Sequence, residues 1–261
     1  SHSGGFLAVA PLLEPNVPLN VSGCVFRDGT VTVRHPSIQL IGIESCTTRH
    51  FGYCGNDFAA VSAVVGRNGL EKLETIARAA GLWLGENGYV GAFGLDALMY
   101  GNEVCLTEIN PRFQGSSAAA ASVARKLEWP DVYLDHLSAY LDLEAPPQVP
   151  LWEQADAQAS NGSKLAQAIC YNCGPPLTLR EGVFVPDLSY GDLKGVAELN
   201  VTMNPHAMLF KLFIHDQVTE TGFGIPGWLA DDISALAGRL YEPIPQTATA
   251  ELCVQETAEH H

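Results

Sequence analysis

Basic residues are scarce: 14 Lys and Arg stand against 29 Asp and Glu in 261 residues, a formal charge of −15. That balance repels a phosphate backbone and argues against a general nucleic-acid or anionic-membrane surface, although a divalent metal can still bring phosphate to a local site. Long apolar runs are missing as well. None approaches the ~20 residues of a membrane span, and no signal peptide begins the chain. Cysteine is sparse and odd in number, seven scattered residues, which reads as reduced thiols of a cytoplasmic protein rather than a disulfide framework. There is no G-x-x-x-x-G-K-[ST], no H-E-x-x-H and no G-x-S-x-G, which removes the P-loop, zincin and nucleophile-elbow readings. Hydrophobic residues at 47% and charged residues at 16% then describe a globular, soluble chain able to bury a full core without staples.

Alternating β-branched residues around Asp28-Gly29 predict a hairpin, Leu19–Phe26 and Thr30–Arg34, with a third strand near Gln39–Ile43. Asn56 or Asp57 is placed to cap a helix whose apolar residues recur from Phe58 to Ala80, ending at Gly81 and interrupted by Gly66, Asn68 and Gly69. A second hairpin spans Gly91–Met99 and Val104–Ile109 around Tyr100–Glu103. Helices are expected over Ser116–Lys126, Pro130–Leu143 and Leu229–Leu240, and strands over Leu165–Tyr171, Val183–Leu188 and Ala207–His215. Three prolines in Ala145–Pro150 mark the best boundary, dividing the chain into 1–145 and 146–261. Antiparallel hairpins with a few helices indicate an α+β fold rather than a doubly wound parallel sheet.

The informative stretch runs from Gly94 through Gly115, because it sets acidic and amide groups into strands that are otherwise apolar. Glu108 and Asn110 are two apart and must share a face. If the turn is a three-residue loop, Gly101–Glu103, Asp96 lies opposite Glu108 on that face, whereas a two-residue loop turns it to the other side. Two carboxylates and an amide oxygen form a hard-oxygen set suited to Mg²⁺ or Mn²⁺ bridging to phosphate. Arg112, just past Pro111, adds a planar cation for a phosphoryl group or a carboxylate.

The order Asp96, eleven residues, Glu108-Ile109-Asn110-Pro111-Arg112 resembles the metal and phosphate motif of the ATP-grasp superfamily. The resemblance covers about Phe6 to Tyr140. It implies an ATP-grasp C-terminal portion over 1–145, an antiparallel sheet with flanking helices, and a smaller mixed α/β segment over 146–261 as a substrate-side domain or lid. Asp96, Glu108 and Asn110 look like the metal ligands, and Arg112 like the catalytic cation at the reacting carboxylate or acyl phosphate. Phe6–Leu13 is similar to the strand and hinge that pack on adenine, with the Pro11 carbonyl and Leu13 amide meeting its edge. Asn20 falls near the ribose or phosphates, and Gln39 near the triphosphate. The implied activity is an ATP-dependent, ADP-forming ligase that uses Mg²⁺ or Mn²⁺ and joins a small-molecule carboxylate to an amine; a homo-oligomer stays open. A carboxylase, another acyl-phosphate-forming enzyme or an ATP-binding regulator is compatible with the same motif. Only Ser1–Gly5 precede the hinge where the first half of the grasp belongs, so the resemblance implies omitted residues or a C-terminal fragment, and poor ATP binding by this chain alone.

Two other patterns carry less. Gly222-Phe223-Gly224-Ile225-Pro226-Gly227 has dinucleotide spacing without a following βαβ unit and reads as a turn into a helix. Cys170-Tyr171-Asn172-Cys173 lacks a second ligand pair and reads as buried strand thiols before a Gly-Pro turn. His136 and His215 sit in apolar periodic segments and read as core or edge histidines.

Overall fold

The structure is a computed structural model describing residues 11–160 and 162–244. Phe6–Ala10, the larger part of the expected adenine strand, and Ser1–Gly5 lie outside the described residues. Ten strands and five helices follow in order: β1 (Val17–Val25), β2 (Val31–Ile41), β3 (Tyr53–Asp57), α1 (Val61–Glu86), β4 (Gly91–Tyr100), β5 (Glu103–Asn110), α2 (Ser117–Lys126), α3 (Val132–Tyr140), α4 (Leu151–Gln158), β6 (Ala166–Tyr171), β7 (Leu177–Leu179), β8 (Gly191–Lys194), β9 (Met208–Ile214), α5 (Gly227–Leu240) and β10 (Tyr241–Pro243). Eight strands form one antiparallel sheet in the order β5-β4-β1-β2-β3-β6-β9-β8, and β10 pairs with β7 apart from it. The architecture is α+β, a large antiparallel sheet with flanking helices. Because β6, β9 and β8 extend that sheet, it runs across the expected 145/146 division.

Alternation sorts the two faces. Val21, Val25, Val31, Val33, Phe93 and Leu95 bury one face of the sheet against α1 and α4, and Ala166, Ala168, Leu212 and Ile214 continue it toward α5. The other face carries Asn20, Ser22 and Cys24 on β1 and is covered by α2 and α3. No helix among the described residues is long and apolar enough to cross a membrane.

Several expected boundaries moved for identifiable reasons. The strand expected at Gln39–Ile43 is the far end of β2, which passes through His35-Pro36 as a bulge: Asn20 faces Ser37 but Ser22 faces Arg34, and His35 adopts φ 53°. A proline survives inside a strand only at such an irregularity. The exposed backbone groups of the bulge are met by α4, which the sequence reading did not expect. Gln154 accepts the His35 N–H at 2.9 Å and donates to the Val33 carbonyl at 3.1 Å, and Gln158 donates to the Pro36 carbonyl at 2.9 Å. Buried glutamines hide a helix of eight residues from a hydrophobic-periodicity search.

Helix α1 bends at Gly66 (φ 66°, ψ 168°) as its glycines suggest, yet it continues past Gly81 to Glu86. Gly81 is there for contact: a Cβ would stand 2.4 Å from Val31 Cγ1. Asp57 accepts the Ala59 and Ala60 N–H groups at 2.9 Å each, satisfying donors at the helix start while itself ending β3. Val183–Leu188 is not a strand: Phe184 is 84% exposed, and the segment's pairing is one isolated bridge from Leu188 to Gly191. The Gly222–Gly227 segment is a turn into α5. Cys170 is buried at the end of β6, whereas Cys173 is exposed. His136 accepts the Ala92 N–H at Nδ1 (3.0 Å), and His215 lies 3.4 Å from Asp192.

Candidate active site

The β4–β5 hairpin sets the register of the site by a different device from the expected three-residue loop. Tyr100 pairs with Glu103, so the turn is two residues, Gly101 and Asn102, and Ala97 accordingly faces Leu106. Left alone, that register would turn Asp96 away from Glu108. A bulge at Thr107 inserts one residue, and Asp96 then pairs with Glu108 and Gly94 with Asn110. Bulges commonly re-aim side chains in this way. Lys72 on α1 steadies the turn through the Asn102 carbonyl (2.5 Å) and Glu103 (2.8 Å).

Asp96 also faces Asn20 across β1, and its carboxylate collects neutral donors. Oδ1 accepts from Asn20 Nδ2 at 2.6 Å, Gln39 Nε2 at 3.2 Å and Gln114 Nε2 at 3.2 Å; Oδ2 accepts from Asn110 Nδ2 at 3.3 Å. Ser116, at the start of α2, donates to Asn20 Oδ1 at 3.0 Å and so orients that amide with its NH₂ toward Asp96. Burial is the largest influence on the Asp96 carboxyl and raises its pKa; Asn20 and Gln114 bonds and the Arg112 charge oppose this, and the Glu108 charge adds to it. Glu108 has no hydrogen-bond or ion-pair partner among the described residues. Arg112 donates to Asn110 Oδ1 and to the Phe113 carbonyl, each at 3.1 Å, again to neutral acceptors.

These groups line an open cavity of about 240 Å³. Asn20, Gln39, Asp96, Glu108, Asn110 and Arg112 all border it. Pro11 and Leu13 do not: they lie in irregular chain before β1, with the Leu13 carbonyl accepting from Asn16 at 2.6 Å. The sequence reading gave no role to Tyr53, Gln114, Gly115 and Ser116, which also line the cavity. Gln114 was signalled, since it extends the alternation of Glu108, Asn110 and Arg112 by one more step. So was its seat: at Gly94 a Cβ would sit 1.8 Å from Gln114 Cδ, and a glycine inside a strand often marks such a close approach. Tyr53 had no local signal, because β3 (Tyr-Cys-Gly-Asn-Asp) looks like a turn.

The donor chemistry suits a hard divalent cation. Glu108 offers a carboxylate without a partner, Asp96 Oδ2 has one long amide contact, and a cation would relieve the repulsion between them. Asn110 would have to release Arg112 or turn its amide to offer oxygen. Among the described residues no group of three or more His, Cys, Asp or Glu is placed to hold a metal, so two carboxylates and amide oxygens are the protein's share.

No protein-family model and no curated protein sequence matches this chain. Solved structures do. The biotin carboxylase domain of 2-oxoglutarate carboxylase from Hydrogenobacter thermophilus, determined with MgADP, ADP and bicarbonate, aligns at TM-score 0.57 and 13% identity over 79% of this chain and 43% of that one. Biotin carboxylase from Campylobacter jejuni aligns at TM-score 0.53 and 14% identity over 79% of this chain and 43% of that one. Pyruvate carboxylase from Rhizobium etli aligns at 0.53 and 16% identity over 80% and 21%. Over about four fifths of its length the chain thus shares the fold of part of these carboxylase structures, and it spans less than half their length.

Proposed function

We propose that this chain is part of an ATP-dependent, ADP-forming ligase that joins a carboxylate to an amine through an acyl phosphate. The observation that carries the reading is one cavity in which Asp96 and Arg112 rest on neutral partners and Glu108 has no partner among the described residues, so that no two of these charges are paired with each other. A site built this way keeps its charges available for a charged substrate.

In this reading Asp96, Glu108 and the Asn110 amide oxygen are the donors for Mg²⁺ or Mn²⁺, which when bound supplies positive charge against the β- and γ-phosphates. The Asn20, Gln39 and Gln114 amides hold the Asp96 carboxylate in place. Arg112 offers two parallel N–H groups to the substrate carboxylate and counters the charge that builds as its oxygen attacks the γ-phosphorus and the bond to ADP breaks. The amine nitrogen then attacks the acyl carbon, phosphate leaves with the C–O electron pair, and the amine loses a proton. Pro11 and Leu13 are the proposed adenine contacts, supported by their place on the segment leading into β1.

Incubating the full-length protein with ATP, Mg²⁺ and panels of carboxylates and amines tests this. ADP release that needs both a carboxylate and an amine supports ligation. Dependence on bicarbonate alone replaces it with carboxylation, and tight ATP binding without ADP replaces it with a regulator.

A further inference from the structure

A second cavity, about 180 Å³, adjoins the first and shares Tyr53 with it; Thr47, Arg49, Gly52, Tyr171 and His206 form the rest of its wall. Tyr53 is the residue that the two cavities share. Its ring lies against Gly115, where a Cβ would be 3.0 Å from Tyr53 Cε1, and its hydroxyl bonds Asn56 Oδ1.

The loop carrying Arg49 is anchored by its backbone, which leaves the guanidinium uncommitted. Gly42 N–H meets the Gly52 carbonyl at 2.8 Å, Gly52 N–H meets the Arg49 carbonyl at 2.9 Å, and Arg49 N–H meets Thr47 Oγ1 at 3.2 Å. Gly52 has no room for a side chain, since a Cβ would come within 3.0 Å of Thr47 Cγ2, Arg49 Cβ and the Arg49 carbonyl. Arg49 itself has no ion pair and no side-chain hydrogen bond among the described residues. Across the cavity His206 holds φ 68°, an uncommon conformation for a residue with a side chain, fixed by its N–H bond to the Asn172 carbonyl at 2.9 Å. Asn172 is locked in turn by bonds to the Pro175 and Met203 carbonyls at 2.8 Å each. Strained backbone of this kind concentrates at ligand sites.

We infer that this cavity is the acceptor subsite, and that it takes the carboxylate of an amino acid whose amine points past Tyr53 toward the acyl carbon. The inference rests on the ligase reading for the word acceptor, but the site stands on its own geometry. In a chain of −15, a solvent-reaching guanidinium that forms no ion pair among the described residues has its charge available, and its planar fork matches a carboxylate. Thr47 and the Tyr171 phenol add hydroxyl donors. Burial pushes the Tyr171 phenol up and the Arg49 charge pulls it back only in part, so it stays protonated at neutral pH. With one cation and this volume, a single amino acid fits better than a nucleotide or a polyphosphate. The arrangement gives the two substrates separate cations, Arg112 for the activated carboxylate and Arg49 for the acceptor's own.

Ligand-detected NMR on the full chain, with each of the twenty common L-amino acids and then the amides of those that bind, tests the subsite without any turnover. At least one amino acid should bind in the millimolar range or better, its amide about tenfold or more weaker, and Arg49→Gln should weaken the acid by a similar factor while leaving the amide unchanged. Arg49→Lys should recover part of the loss. An acid and amide that bind alike, an acid indifferent to Arg49→Gln, or no binding by any amino acid overturns the inference, and the amide comparison needs no variant to fold. ADP assays separate the two readings: acid-selective binding without ADP release under any pairing removes the ligase and keeps the subsite, whereas amine-dependent ADP release that ignores Arg49 does the reverse.

Discussion

Two carboxylates, Asp135 buried and Asp96 half-buried, reach the same face of the sheet and are treated in opposite ways. At one end Asp135 of α3 receives Arg34 Nε at 2.5 Å, Arg34 Nη2 at 3.2 Å and the Thr32 hydroxyl at 2.7 Å, with acid and base both nearly sealed from water. At the other end Asp96 receives only amides, while Arg112, within the same cavity, rests on an amide oxygen and a carbonyl. Arg34 and Asp135 cancel each other and need nothing further. Asp96 is half-buried beside an exposed Glu108 and an exposed Arg112, and none of the three is paired with another; keeping the Asp96 charge there costs stability that an arriving cation would recover. Buried ion pairs are often structural; charges held apart on neutral partners are the better marker of a site.

The contrast breaks most visibly from the structural end. Asp135→Asn strips Arg34 of its counter-charge inside the core and should cost about 3–5 kcal/mol, read by chemical denaturation. Replacing Arg34 and Asp135 together by apolar residues of similar volume should recover most of that. A loss below about 1 kcal/mol for the single variant would place the pair among dispensable contacts. At the other end, Arg112→Ala should leave the denaturation midpoint nearly unchanged and lower turnover of the full-length protein about 10²–10³-fold, the usual effect of removing one aimed donor. A variant with normal kcat takes Arg112 out of the chemistry. Glu108→Gln, which removes a charge with no partner to strand, should raise the Mg²⁺ concentration needed for half-maximal ADP formation roughly tenfold; an unchanged Mg²⁺ titration ends its role as a ligand.

How much of this was legible differs between the same two ends. The site's composition was readable because polar residues in apolar strands need a reason, and Asp96, Glu108, Asn110 and Arg112 occur within seventeen residues of one hairpin. Its register was not: the Gly101-Asn102 turn alone predicts the wrong face, and the bulge at Thr107 that corrects it leaves no local trace. Asn20 and Gln39 border the cavity from separate strands, a long-range fact that only the family resemblance supplied. The structural end stayed hidden. Asp135 and Arg34 are 101 residues apart, and α4, which covers the His35-Pro36 bulge, does so with glutamines rather than an apolar stripe. Local pattern reveals what one element does to itself; pairings across the sheet follow from topology.

The smallest expected effect is the most discriminating, because its sign is opposite at the two ends. Burial and Glu108 raise the Asp96 pKa, so the fold prefers the protonated acid. That contribution to stability is present below the ordinary carboxylate range, near pH 4, and is lost as pH rises through the raised value. Asp96→Asn keeps the shape, lets the carboxamide oxygen accept from Asn20, Gln39 and Gln114, and removes the charge beside Glu108. At neutral pH it should therefore hold or raise the melting midpoint by about 2 °C while abolishing Mg²⁺-dependent ADP formation, and the gain should vanish by about pH 3. Added Mg²⁺ should stabilise the parent chain and not the variant, since only the parent binds it in the folded state. If Asp96→Asn instead loses stability on the scale of Asp135→Asn, the amide cluster is a structural network like its counterpart, and the distinction between the two ends fails.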